Sequence, residues 1–352
     1  MKKLLLVTFP VDLGNATFEK RFVDLFQKDP DLDLELFRFV TKQKNPHPKS
    51  IFSFSYFKIF FKRLLVSIEL WKAIRKARKE NRKVLFHGVS TALFGYFATG
   101  KNQSYIVTEW TRKLYEPIWK SSGSPGWLTW IHKKILNAQT SVLGLTSSVI
   151  EQIAKDYELP KSRLKKVKLP FSGDLSLFKP GASRSDEEVR LLFVGGDFER
   201  KGGDVLLNWF KQQERPGLKL TMMTNHPIED IPGVTKASNI QYGQEKHIEM
   251  FGSHDIFVLP TNCDSYPSVL GEAACSGLAI ITTKYALGAA EVINEGENGY
   301  ICDSQAELLK RLDMMIEDKA SIKQMKQKSR QLMEQEYAYE EVLKGYVQQV
   351  FA

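Results

Sequence analysis

Residues Phe257–Thr283 read FVLPTNCDSYPSVLGEAACSGLAIITT, and this stretch decides the fold. Its first residues form a short apolar run that stops at Pro260, the pattern of a strand buried on both faces. A polar loop with Asp264 follows, then a helical pattern over Val269–Cys275, then a second apolar and β-branched run over Ala279–Thr283. Strand, loop, helix and strand in one continuous piece make a βαβ unit, and βαβ units build parallel sheets. The spacing sets Asp264 in the loop and Glu272 about one turn into the helix. A helix N-terminus carries unpaired N–H groups and a partial positive charge, which suits a diphosphate. Glu272 is then placed to accept hydrogen bonds from ribose hydroxyls and Asp264 from sugar hydroxyls; the plainer alternative makes Asp264 a residue that only starts the helix.

Upstream, Leu191–Asp204 reads LLFVGGDFERKGGD: a strand runs into Gly195 and Gly196, then Arg200 and Lys201, then Gly202 and Gly203 before a helix. Glycines there permit close backbone approach and positive φ, and the two cations suit a phosphate. The same alternation extends both ways. Strands are expected at residues 3–8, 34–40, 84–87, 104–108, 141–145, 189–195, 218–224 and 240–242. Helices are expected at 16–27, at 147–156 with Ser147 or Ser148 as cap, and at 204–212. Leu169–Asp186 (LPFSGDLSLFKPGASRSD) breaks the pattern and reads as a linker, and the tail from Glu307 reads as two or three amphipathic helices. The fold class is α/β: two Rossmann-like, doubly wound domains, with ligands bound at the carboxyl ends of the strands in a cleft between them. The expected divisions are 1–168, 169–335 and a last helix, 336–352, returning to the first domain.

At 352 residues the chain has the length of two ordinary domains, and 43% apolar with 26% charged residues is the composition of a folded protein. Cys263, Cys275 and Cys302 have no C-x-x-C spacing, which argues against a disulfide framework or a zinc site and for a reducing compartment. MKKLLLVTFP is interrupted by Pro10 and Asp12 and reads as a first strand rather than a signal peptide. Ile51–Trp71, broken by Lys58, Lys62 and Arg63, does not read as a membrane span. The net charge of +9 conceals an asymmetry: residues 1–170 carry 31 Lys and Arg against 14 Asp and Glu, while residues 171–352 carry 19 against 27.

Together the two quoted stretches resemble the retaining GT-B glycosyltransferases of family 4 (glycosyl transferases group 1). That family has an E-x7-E element often written around ESFPNVLLEAMACG-P, matched here by DSYPSVLGEAACSGLA, and a phosphate-binding segment FVGGDxxRKGGD, matched by FVGGDFERKGGD. LTSSVIEQIAKDYELP, KLPFSGDLSLFKP and GAAEVINEGENGYIC add matches in the same order. The resemblance implies that Lys201 and Arg200 hold the donor diphosphate, Glu272 the ribose and Asp264 the transferring sugar. It puts the backbone N–H groups of Ser268 and Val269 in the phosphate cradle, with Gly195 and Gly196 beside it, and the base near Tyr242 and Gly243. Two departures stand out: Asp264 replaces the usual Glu, and Gly196 stands where many relatives carry Arg.

In the first domain the resemblance is looser. Gly14 falls in a glycine-containing loop near the reacting centre, and Glu109, where relatives often have His or Asp, becomes an acceptor-side residue. The alternative for Glu109 is a surface pairing with Arg112 or Lys113; His87 ends a strand in the same way. The implied activity is a metal-independent hexosyltransferase reaction from a nucleotide diphosphate sugar to a glycan or lipid-linked acceptor, in bacterial cell-surface glycan synthesis. No cofactor and no nucleic-acid partner are expected, and Asp31-Leu32-Asp33, the D-x-D of metal-dependent transferases, reads as a turn. Phe52–Lys83 interleaves aromatics with eight or more cations, which points to contact with an anionic membrane surface and a cytoplasmic, peripheral location; the alternative packs its apolar face inside the domain. Competing readings are a non-catalytic nucleotide-sugar-binding protein and a sugar-nucleotide epimerase. A dehydrogenase is disfavoured because no G-x-G-x-x-G follows the first strand.

Overall fold

The computed structural model describes residues 1–9, 13–39, 54–95, 103–111, 126–171, 174–182 and 188–352. Contacts divide the chain into two units, Met1–Val167 with Leu343–Ala352, and Lys168–Val342.

The first unit is built from β1 (Lys2–Thr8), α1 (Leu13–Gln27), β2 (Leu32–Arg38), α2 (Phe54–Lys79), β3 (Lys83–His87), α3 (Gly88–Gly95), β4 (Ser104–Thr108), α4 (Gly126–Ala138), β5 (Ser141–Gly144), α5 (Ser147–Tyr157) and β6 (Leu164–Lys166). Every strand pair is parallel and the order is β2-β1-β3-β4-β5-β6. Alternate strand residues point to opposite faces. One face sends Leu5, Val7, Val84, Phe86, Ile106 and Val142 into a core with Leu70, Ile74 and Ala77 of α2, Ala92 of α3, Ile135 and Leu136 of α4, and Val149 and Ile153 of α5. Thus the apolar stripe over the carboxyl-terminal half of α2 is taken up by the core, while Lys72, Arg75 and Arg78 stay exposed. The side chains of 54–64 lie outside the described set. On α1, Phe22 and Phe26 meet Tyr346 edge-on, at 5.3 and 5.6 Å between ring centroids, which ties the chain's last helix into this unit.

The second unit comprises α6 (Asp174–Leu177), β7 (Val189–Val194), α7 (Gly203–Phe210), β8 (Leu218–Met223), β9 (Val234–Ala237), α8 (Glu245–Gly252), β10 (Ile256–Leu259), α9 (Ser268–Cys275), β11 (Ala279–Thr283), β12 (Gly299–Cys302), α10 (Gln305–Glu317) and α11 (Lys319–Glu336). The final helix, α12 (Tyr339–Phe351), begins here. Its sheet is parallel in the order β12-β11-β10-β7-β8-β9. The strands read as continuous apolar runs because helices cover both faces; Ile256–Leu259 and Ala279–Thr283 are wholly buried. Arg330 of α11 donates to the carbonyls of Phe178 and Cys275, so one cation binds the linker segment to the carboxyl end of α9, where the helix dipole favours positive charge.

The structure corrects three local expectations. Residues 240–242 are not a strand; the edge strand is Val234–Ala237. The cap of α5 is Thr146, whose hydroxyl accepts from the Val149 N–H at 3.1 Å, rather than Ser147 or Ser148. Of the D-x-D acids, Asp31 stands in the turn before β2 as expected, whereas Asp33 lies within β2 and takes up the Arg82 guanidinium at 2.6 Å.

Candidate functional site

In the second sheet the strand order reverses between β7 and β10, which are neighbours although their chain continuations leave in opposite directions. A crevice at the carboxyl ends of the strands opens at such a point. The loops leaving the two strands are stitched together there. The Arg200 carbonyl accepts from the Asn262 N–H at 2.9 Å and from Thr261 Oγ1 at 3.1 Å, and the Arg200 guanidinium donates to the Cys263 carbonyl. Gly202 makes this approach feasible. It sits at φ +76, and a Cβ on it would lie 2.1 Å from the Pro260 carbonyl oxygen. Gly195 has no room for a side chain, because its Cβ would stand 2.7 Å from the Phe193 ring and 3.1 Å from Lys201 Cδ. Of the four glycines in this stretch, Gly202 is the one with positive φ, and a Cβ on Gly196 would meet nothing within 4 Å.

These loops bring three of the anticipated side chains together. Lys201 Nζ lies 3.4 Å from Asp264 Oδ2, and an Arg200 guanidinium nitrogen 3.8 Å from the same oxygen. Arg200 also donates from Nε to Asp197 at 2.8 Å. Burial opposes the charge on Arg200, yet the contacts to Asp197 and Asp264 outweigh it and hold the guanidinium above its ordinary pKa. Asp264 is fixed through its backbone, its N–H donating to the Tyr285 carbonyl and its carbonyl accepting from Leu287, both at 2.9 Å.

Four residues further on α9 begins. Pro267 offers its first turn no side-chain cap, so Ser268 and Val269 stand at a helix start that carries partial positive charge. Ser268 Oγ is 3.5 Å from Glu272 Oε1. Glu272 is 2% exposed, and its other carboxylate oxygen lies 3.7 Å from His247 Nε2. Tyr242 and Gly243 occupy the loop before α8. The Tyr242 hydroxyl bonds to the buried Asp174, its ring packs 6.0 Å from Phe178, and the Gly243 N–H reaches His247 Nδ1 at 3.4 Å. His247 was not anticipated, because a lone histidine in a helix signals nothing by itself; its place three residues past the helix-capping Gln244 is the only clue in the sequence. Asp174, hidden in the linker, was likewise missed.

Of the first-unit candidates, Gly14 falls in the first turn of α1, and the side chains of 13–15 lie outside the described set. Glu109 follows β4 and His87 ends β3, and Glu109 Oε2 is 3.7 Å from His87 Nε2. The His87 ring stacks on Phe18 with centroids 4.0 Å apart and planes within 1°. The alternative partners of Glu109, Arg112 and Lys113, lie outside the described residues.

Chemically, the second unit offers two cations and a helix start for a polyanion, and a carboxylate on each side for hydroxyl groups. Residues 178–332 match the model of the family described as glycosyl transferases group 1. An uncharacterized glycosyltransferase of Haemophilus influenzae is 27% identical over 171 residues, 46% of this chain and 48% of the relative, so the chain spans about half the length of the curated relative it matches. Among solved structures, sucrose-phosphate synthase from Thermosynechococcus elongatus superposes with a TM-score of 0.73 at 15% identity, covering 99% of this chain and 98% of that one. HepE of Anabaena, solved in complex with UDP, superposes with a TM-score of 0.69 at 12% identity over 100% of both chains. At such identities the likeness shows the fold, which is the GT-B type with two Rossmann-like domains.

Proposed function

We propose that the second unit holds the nucleoside diphosphate of an activated sugar, and that the chain transfers this sugar with retention to a hydroxyl of a glycan or lipid-linked acceptor. The observation that carries this reading is the convergence of Lys201 and Arg200 on Asp264 at the strand-order reversal. An arriving diphosphate competes with Asp264 for both cations, and the carboxylate so released accepts hydrogen bonds from the sugar. Glu272 takes the ribose, and the loop at Tyr242 and Gly243 flanks the base. In the transfer, the bond from the anomeric carbon to the phosphate oxygen breaks. The acceptor oxygen bonds to that carbon from the same face, and the acceptor's proton passes to the departing phosphate. Lys201, Arg200 and the start of α9 stabilise the negative charge that grows there. Charge stabilisation by these groups makes the reaction independent of a metal ion. In the first unit, Glu109 with His87 contacts the acceptor.

A peripheral site of action, at a cytoplasmic membrane face where cell-surface glycans are made, is supported by the exposed cations of α2 and by α4. There Trp127 and Trp130 are 63% and 58% exposed, and Lys134 Nζ lies 4.7 Å over the Trp130 ring. Among the described residues no helix is long and apolar enough to cross a membrane.

The test is a thermal-shift panel of UDP, GDP, ADP and CMP, UDP first because of the HepE likeness, followed by hydrolysis and transfer assays of the matching nucleotide sugars in EDTA. Stabilisation by one nucleotide that is lost in Lys201→Ala and Glu272→Ala, with turnover in EDTA and a retained anomer by NMR, supports the whole reading. Binding without turnover favours a non-catalytic nucleotide-sugar binder, the second reading, which Gly196 in place of an arginine and Asp264 in place of a glutamate motivate.

A further inference from the structure

His247 stands among Phe178, Tyr242 and Phe251, with ring centroids at 5.4, 5.7 and 5.1 Å, and is 5% exposed. A polar ring boxed in by aromatics must direct both nitrogens to partners. Nδ1 accepts the Gly243 N–H, from the third position of α8, the place from which a side chain reaches back to free backbone N–H groups at a helix start. With Nδ1 accepting, the neutral ring carries its proton on Nε2, and that N–H faces the Glu272 carboxylate at 3.7 Å. The contact is longer than a hydrogen bond, but it acts between groups 6% and 3% exposed, where screening by water is weak. One ring therefore joins the loop of Gly243 to a carboxylate on a different helix.

We infer that His247 is a positioning residue that fixes the Glu272 carboxylate for the vicinal hydroxyls of a ribose and couples it to the loop beside the base. This inference rests on the reading of Glu272 as the ribose ligand. A glutamate has three side-chain torsions, and its preference for a diol depends on holding the plane of the carboxylate in one orientation. Ser268 Oγ steadies one oxygen and the His247 N–H the other. Without the imidazole the carboxylate keeps its charge but loses its aim, so recognition of the hydroxyls weakens while attraction of the diphosphate does not.

The experiment compares, by calorimetry, the nucleoside diphosphate that the wild type binds with its 2′-deoxy counterpart, and uses inorganic pyrophosphate as a probe of the cations alone. His247→Asn keeps a polar group near Gly243 but falls short of Glu272, whereas His247→Gln extends an N–H to the Nε2 position. In His247→Asn the preference for the ribonucleotide is expected to fall about fivefold, the size of one modest polar contact. The Gln variant is expected to restore most of it, and pyrophosphate affinity is expected to stay unchanged in both. The inference is overturned if Glu272→Gln erases the ribose preference while His247→Asn retains it, or if His247→Asn weakens ribo- and deoxynucleotide equally. A wild type with a ribose preference indifferent to Glu272→Gln removes the reading of Glu272, and this inference with it.

Discussion

Lys201 Nζ lies 3.4 Å from Asp264 Oδ2, although the two residues leave different strands, β7 and β10. The pair is 15% and 14% exposed, so water screens the attraction only in part. Truncating one partner therefore does different things to binding and to turnover. Lys201→Ala should weaken nucleoside diphosphate binding by about 1.5–3 kcal/mol, a factor of about 10 to 150, because it removes a charge-assisted contact to phosphate. Asp264→Asn should leave nucleotide affinity equal or higher, since the lysine loses its competitor, while sugar transfer collapses. Calorimetry beside a transfer assay separates the two; a loss of nucleotide affinity in Asp264→Asn would contradict the competition between carboxylate and phosphate.

Two glycines of the same loop make a contrasting pair. Gly202 has φ +76 and the Pro260 carbonyl against it, so Gly202→Ala meets both left-handed strain and a backbone clash. A cost of about 2–4 kcal/mol is expected, read as a lowered melting temperature and loss of nucleotide binding. Gly196→Ala enters open space with no positive φ and should leave the melting temperature within a degree or two, or raise it slightly.

How much of this could be read in the sequence follows from packing. Ile256–Leu259 and Ala279–Thr283 were legible because strands of a parallel sheet covered on both faces must be apolar at every position. Edge strand Val234–Ala237 was not, since two of its four residues are exposed and its pattern is polar. Residues 240–242 imitated a strand because Tyr242 is apolar for another reason: its ring covers Phe178 and its hydroxyl serves Asp174. In the site, Arg200, Lys201, Asp264 and Glu272 were legible from charge placed at strand ends and a helix start. His247 and Asp174 were not, because their roles arise from partners 25 and 68 positions away, a separation no local pattern encodes.

Cys302 carries a prediction about pH. Burial, with Glu307 and Glu295 adding negative charge nearby, pushes its thiol from 9.0 up to about 12. The folded pKa is raised above the unfolded one, so this group's contribution to stability is intact below pH 9 and is lost as pH rises from 9 toward 12. Native protein at pH 8 should react with a thiol reagent at Cys302 only after denaturation. Cys302→Ala should flatten part of the fall in melting temperature above pH 9; an unchanged slope would assign that fall to other groups.

The membrane reading makes the sharpest demand on the first unit, because its two supports can be tested apart. The core consumes Leu70, Ile74 and Ala77 of α2, so from residue 70 onward this helix offers a bilayer charge, from Lys72, Arg75 and Arg78, preceded by the exposed Leu65 and Ile68. The larger apolar anchors are Trp127 and Trp130, one turn apart on α4 with Lys133 and Lys134 beside them. Interfacial binding combines electrostatic attraction with insertion of aromatic rings, and only the first is screened by salt. With vesicles containing anionic lipid, reversing Lys72, Arg75 and Arg78 to Glu should abolish flotation at low salt, at a cost of about 1 kcal/mol per charge removed. Trp127→Ser with Trp130→Ser should leave the initial attraction but make binding fully reversible by about 0.5 M salt. If the wild type already dissociates completely at that salt, the tryptophans do not insert, and if it fails to float on anionic vesicles at all, the first unit meets its acceptor away from a membrane.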